Sequence, residues 1–357
     1  MSSWRTREPV IWARSTSAVC EDPSSRVMPL FCRHNRLVQN CAICSREQEV
    51  ELRPLVSSAA PQASTPPSTR RARRPAQPTG RTPEPRHTPG LRVRRLKRGV
   101  DDGYHSNLLP GIKSSEDAER LAYELAFAAT RLERLATDPP GLYAEAADPS
   151  QDLEERTWLV FLIAYLGPLE DANPFCEITR IRTTWASNER PNFAEVHTGR
   201  RTAHDPQRPT RTPDAYRAWA ARAGSQQQAF VGEPTWSPER RFERLFERLA
   251  LPGLHRGARY DLLVTLGALK LYEINPAALK LGGTDAVTTA AKRALGIGDP
   301  MLLERRAAAL AEACQLPLAS LDLALYNWEA ERRATVGMPD LQPDPTRLAT
   351  VRTTIGL

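Results

Sequence analysis

Leu251-Pro252-Gly253-Leu254-His255-Arg256-Gly257 is the stretch whose reading decides the fold. Before it, Ser237 and Pro238 open a helix in which Phe242, Leu245, Phe246 and Leu249 recur at intervals of three and four, the stripe of a helix with one buried face. After it, helical spacing resumes from Ala258 to about Leu269. Proline and glycine stop the first helix, so the chain turns and begins another. The first backbone N–H groups of a helix lack partners within it and suit a DNA phosphate oxygen. Gly253, His255, Arg256, Gly257 and Arg259 are therefore expected to bind phosphate, with the plain alternative that His255 only completes the turn.

Downstream, an extended segment leads to Gly282-Gly283-Thr284-Asp285, which opens a helix to about Leu295 carrying Lys292 and Arg293. Gly296-Ile297-Gly298-Asp299 separates it from a helix over Pro300–Cys314, and a last helix contains Leu321 to Trp328. Upstream, Ser114 and Asp117 make a capping-box-like start for a helix with Leu121, Leu125, Leu132 and Leu135 along one stripe. Another helix follows Asp152, with Trp158, Phe161, Leu162 and Tyr165 on its buried face and Pro168 beyond its end. Residues 170–212 are polar, rich in arginine and broken by prolines, and are expected to supply a lid or substrate loop. No segment of this core alternates in the manner of a strand. The expectation is an all-α domain over about 100–335, with residues 336–357 a loose tail.

The first hundred residues differ in kind. With 31 prolines and a hydrophobic fraction of 41%, part of the 357-residue chain is expected not to pack. Residues 1–27 read as a disordered extension, and Met28 is the expected natural start. Residues 56–99 read as a disordered Pro- and Arg-rich linker ending in Arg92-Val93-Arg94-Arg95-Leu96-Lys97-Arg98. Residues 1–100 hold 19 Lys and Arg against 7 Asp and Glu, while the remainder holds 30 against 35, so the basic character belongs to the N-terminal region. It is either a solvated tether or a non-specific grip on DNA.

Between extension and linker, residues 28–55 carry Cys32, His34, Cys41 and Cys44. Four soft or borderline ligands in one short loop match tetrahedral structural zinc, and Cys41-Ala42-Ile43-Cys44 has the spacing of a zinc knuckle. So short a module has too few apolar residues to fold alone, and Zn2+ would supply its folding energy. A redox pair is the lesser reading, because no alternating strand and helix pattern surrounds the cysteines. Cys176 and Cys314, isolated among apolar residues, read as buried thiols. The longest apolar run, Trp158 to Gly167, is half what a bilayer crossing needs at about 20 residues, so the protein reads as soluble and cytoplasmic.

The order of turn, apolar helix and aspartate-led helix over about Phe242–Trp328 resembles the helix–hairpin–helix DNA glycosylase superfamily, especially its alkyladenine-glycosylase branch. The resemblance implies a glycosylase-like helical domain in which Asp285 is the catalytic aspartate. His255 stands where that superfamily has its second hairpin glycine, and the interval to Asp285 is longer than usual. Cys32-Arg33-His34-Asn35-Arg36-Leu37, Gly282-Gly283-Thr284-Asp285, Ala290-Ala291-Lys292-Arg293 and Gly296-Ile297-Gly298-Asp299 together resemble the alpha-glutamyl/putrescinyl thymine pyrophosphorylase family, clade three. That resemblance implies an enzyme of DNA base hypermodification. It would expel pyrophosphate from an activated 5-hydroxymethyluracil and install an amine or amino-acid co-substrate.

The two chemistries make different demands. A glycosylase uses a carboxylate to stabilise positive charge developing on the sugar or to activate water. Displacing pyrophosphate needs cations around a leaving group with several negative charges. Asp285 serves the first, or acts as base for the amine in the second; alternatively it only caps its helix. Lys292 is a candidate phosphate ligand or amine nucleophile and Arg293 a candidate phosphate ligand, against the reading of both as solvated charge. Asp261 and Asp322 are alternative acids, Asp322 the better one if Gly296-Ile297-Gly298 were the hairpin. A base-excision enzyme and a DNA-binding adaptor without chemistry remain alternatives to the hypermodification reading.

Overall fold

The computed structural model describes residues 99–357, and every regular element there is an α-helix. The cluster Cys32, His34, Cys41 and Cys44, the N-terminal extension and the linker up to residue 98 lie outside the described residues. Among the described residues no helix is long and apolar enough to cross a membrane.

Helix α1, Ser115–Thr137, buries Leu121, Leu125 and Leu135, three of the four leucines its spacing points to. The capping box does not form. Ser114 makes no side-chain cap bond, Asp117 turns to Arg120 at 3.3 Å, and the N–H of Ser115 donates to Asp102 at 3.0 Å instead. A carboxylate is the stronger acceptor at a helix N-terminus, and here one arrives from thirteen residues upstream.

The short α2, Leu142–Ala147, leads to α3, Leu153–Leu166, in which every residue from Thr157 to Leu166 is buried. Its aromatics are core, as their spacing predicts: Trp158, Phe161 and Tyr165 stack in series, and Tyr216 lies against Phe161 with ring centroids 3.9 Å apart. Burying each such ring stabilises the fold by about 1.5–3 kcal/mol, so α3 is the axis on which the surrounding helices depend.

The polar stretch after α3 contains a short helix, α4 (Cys176–Ile181), and is otherwise irregular but fastened down. Glu155 accepts from the N–H groups of Trp185 and Ala186 at 2.7 and 3.0 Å, and Ala203 N–H donates to Tyr165 O at 2.8 Å. Cys176 is only half-buried, unlike the fully buried Cys314. Then come α5 (Arg211–Ala223), α6 (Gln226–Val231), α7 (Pro238–Arg248) and α8 (Arg256–Ala268), with α8 packed on α3.

Three further helices, α9 (Ala286–Leu295), α10 (Pro300–Ala313) and α11 (Ser320–Glu329), have the bounds their caps predict to within a residue or so. Helix α11 packs along α1, where fully buried Trp328 donates its indole N–H to Asp117 O at 2.9 Å. The segment after Arg333 is not a loose tail. Asp344 and Pro345 open α12 (Pro345–Ile355), which packs on α1 with Val351 and Ile355 buried, and the hydroxyl of Tyr104 donates to Ile355 O at 2.6 Å.

Candidate functional site

The connection between α7 and α8 needs its glycine. Gly253 has φ +86, and a Cβ there would lie 2.1 Å from Thr212 Oγ1, which itself donates to Pro252 O at 3.0 Å. The turn is thus seated on the start of α5.

His255 caps α8. Its Nδ1 accepts the N–H of Ala258 at 3.3 Å, and its Nε2 lies 2.9 Å from Thr202 O. A carbonyl can only accept, so in this geometry Nε2 donates to Thr202 O and both ring nitrogens are engaged. His255 thus completes the turn and ties it to Thr202.

Beside this cap runs a line of charges. Arg201 grips Asp261 with both arms, Nε to Oδ2 at 2.6 Å and Nη2 to Oδ1 at 2.8 Å, and the same Nη2 reaches Asp322 Oδ1 at 2.6 Å. Arg256 places Nη2 2.6 Å from the other oxygen of Asp322 and Nη1 3.7 Å from Oδ1 of Asp285. Burial alone would push the Asp322 carboxyl up, but Arg256 and Arg201 on either side outweigh it and hold the group below the usual carboxylate range. Burial likewise works against the charge of Arg201, and Asp261 with Asp322 raises its pKa above the ordinary value.

Asp285 is the open end of this line. It caps α9, taking the N–H of Thr288 on Oδ1 at 3.2 Å and the hydroxyl of Thr288 on Oδ2 at 2.7 Å, while 31% of its side chain stays exposed. The cap reading and the pocket reading are compatible, because the same carboxylate that caps α9 also lines a pocket of about 250 Å³. The walls are residues 200–202, residues 255–257 at the start of α8, residues 285–287 at the start of α9, and Tyr326. Two helix N-termini thus meet at one cavity, each contributing partial positive charge. Tyr326 is held by its hydroxyl, which donates to Arg200 O at 2.8 Å, and by the Arg201 guanidinium 4.7 Å from its ring centroid.

The remaining candidates are not gathered there. Arg259 lies over the ring of Phe246 at 4.4 Å and donates to Phe246 O at 3.0 Å. Arg293 pairs with Glu329 at 2.6 Å and covers Trp328 at 4.0 Å. Lys292 lies seven residues past Asp285, about 10 Å along α9, and is not part of the pocket wall. Gly253 shapes the turn without reaching the cavity, whereas His255, Arg256, Gly257 and Asp285 all line it. Arg201 and Tyr326 are the additions that sequence reasoning missed. Asp261 and Asp322, weighed as acids, are ion-pair partners.

Chemically, the pocket offers the partly exposed carboxylate of Asp285 beside arginines that are already paired. Each arginine of the wall faces an acid: Arg200 to Glu170 at 3.8 Å, Arg201 to Asp261 and Asp322, Arg256 to Asp322 and Asp285. Among the described residues no group of His, Cys, Asp and Glu is arranged to hold a metal ion. Comparison with protein-family models, with curated proteins and with solved structures returns no match in any of the three.

Proposed function

We propose that the protein is a DNA base-processing enzyme in which α7, the 249–255 turn and α8 form a helix–hairpin–helix of the glycosylase type and Asp285 is the reacting carboxylate. The observation that carries this reading is the position of Asp285, half-open in the pocket wall beside the start of α8. The free N–H groups at that start are suited to the DNA backbone, and a base turned out of the helix would rest against Tyr326. The 19 cationic residues among the first hundred add affinity for a polyanion. Cys32, His34, Cys41 and Cys44 are proposed to hold a structural zinc with no open position for chemistry.

Of the two chemistries, cleavage of the bond between base and sugar is the better supported. Asp285 would stabilise the cationic sugar as that bond breaks; water then adds its hydroxyl to the sugar carbon and the base departs with a proton. A pyrophosphate leaving group asks for unengaged cations. The wall's arginines are already matched to carboxylates, and Lys292 stands apart.

The test is incubation of the full chain with duplexes containing uracil, an alkylated base or pyrophosphorylated hydroxymethyluracil. Free base and an abasic site, both lost in Asp285→Asn, are expected. Released pyrophosphate without an abasic site would replace this reading with base hypermodification. Binding without product, indifferent to Asp285→Asn, would leave a DNA-binding adaptor.

A further inference from the structure

Arg256 stands between two carboxylates and is unequally shared. On its inner side Nη2 is 2.6 Å from Asp322, whose side chain is 2% exposed; on its pocket side Nη1 is 3.7 Å from Asp285, whose side chain is 31% exposed. Nη1 is buried and makes no hydrogen bond. The remaining contacts of the guanidinium are neutral: the carbonyls of Leu279 and Lys280 and the ring of Tyr260. Asp322 has no freedom to act as an acid. Its Oδ1 takes Arg201, its Oδ2 faces Arg256, and Arg201 is locked in turn by Asp261.

We propose that Asp322 is the positioning residue of this pocket, drawing Arg256 inward so that Asp285 is not closed off by a direct ion pair. This rests on the reading of Asp285 as the reactive carboxylate. The physical basis is a competition. Attraction between opposite charges grows as the surroundings become drier, so the buried acid outbids the half-exposed one for the same guanidinium. A shift of about 1 Å would bring Nη1 from its present distance to the 2.7–2.9 Å of a charge-assisted hydrogen bond with Asp285. What opposes that shift is the ion pair of Nη2 with Asp322 at 2.6 Å, acting together with the hydrogen bonds of Nη2 to Leu279 O and Nε to Lys280 O.

Neutralising Asp322 reverses the competition. The side chain of Arg256 is nine-tenths buried and keeps its charge, and the carboxylate across from its unused Nη1 is Asp285. With Thr288 already occupying both oxygens of Asp285, closure of Arg256 covers the side that faces the pocket. The prediction has a sign that a merely structural role lacks: loosening the fold would expose Asp285, whereas loss of positioning hides it.

The experiment is carboxyl labelling of the full chain with a carbodiimide and an amine, read residue by residue by mass spectrometry, without DNA. Relative to Asp299, an exposed cap on α10, Asp285 should label more slowly in Asp322→Asn, within the about two- to hundredfold range of coupling between touching groups. In the double variant Asp322→Asn with Arg256→Gln, labelling should return to the wild-type rate or above. Unchanged or faster labelling in Asp322→Asn overturns the proposal, and so does slow labelling in the double variant. The double variant removes both charges together, so slow labelling in it overturns the proposal even if the single variant does not fold. Absence of any product from the wild-type enzyme would retire the base-processing reading without touching the labelling result.

Discussion

Nη2 of Arg201 lies 2.6 Å from Oδ1 of Asp322, joining two side chains that are 4% and 2% exposed across 121 residues of chain. Arg201 comes from the irregular segment before α5 and Asp322 from the first turn of α11, so this contact and the fork on Asp261 of α8 bind three separate parts of the chain at the pocket.

Removing one partner of such a group leaves the others charged and dry. Arg201→Met strands Asp261, leaves Asp322 with Arg256 alone, and should cost about 3–5 kcal/mol in urea unfolding. Arg352→Met, which breaks a pair with Glu119 that is 45% and 43% exposed, should cost at most about 1 kcal/mol. Equal costs for the two would show that the buried cluster is not what fastens the segment.

Substitution separates the cap that Asp285 makes on α9 from the reactive role proposed for it. Asparagine is as good a helix cap as aspartate, so Asp285→Asn should change stability by less than about 0.5 kcal/mol while abolishing product formation. Asp285→Ala loses the bonds from Thr288 as well and should cost about 1 kcal/mol. Thermal unfolding beside a product assay checks both; retained turnover in Asp285→Asn would assign the residue to capping alone.

Which parts of this were legible in the sequence follows from the range of the forces involved. Asp285, Asp299 and Ser237 each accept an N–H three residues ahead, so the starts of α9, α10 and α7 can be read locally. Arg201 was illegible because its partners stand 60 and 121 residues away and nothing near it distinguishes it from Arg200. At α1 a local signal misled, since Asp102 folds back over Ser115 and displaces the expected cap. Helix α12 carried the same Asp-Pro opening as α10, but only Val351 and Ile355 of its residues are buried, too sparse a stripe to declare a packed face.

Cys314 gives a pH signature. Burial pushes its thiol from about 9 up to about 11. Between those values the unfolded chain gives up this proton while the folded chain keeps it, so stability falls as pH rises. From pH 9 to 10 this thiol's share of the loss should be about 1 kcal/mol, beside that of buried tyrosines such as Tyr143 and Tyr216, whose hydroxyls burial also raises and which ionise near 10 when unfolded. Cys314→Ala should flatten that part of the curve, measured by urea unfolding at stepped pH. An unchanged slope would mean that other groups produce it.

The zinc site proposed for Cys32, His34, Cys41 and Cys44 predicts about one zinc per purified chain. Cys41→Ser should lower the metal content measured by atomic spectroscopy to a small fraction, because a thiolate is removed from a four-ligand set. Full occupancy in that variant would exclude Cys41 as a ligand.

Gly253 fixes the turn to which DNA binding is assigned under the proposed function. A side chain there meets two obstacles at once: a left-handed backbone costing about 1–2 kcal/mol for an ordinary residue, and a Cβ 2.1 Å from Thr212 Oγ1. Thr212 also fastens Pro252, so relief of the clash must move the turn relative to α5. Gly253→Ala should therefore lose at least about 1 kcal/mol of stability and bind duplex DNA more weakly. If the turn meets phosphates, the plot of log affinity against log salt should also become shallower by roughly one phosphate contact. Lowered stability with an unaltered salt slope would confine Gly253 to folding and move the backbone contact elsewhere.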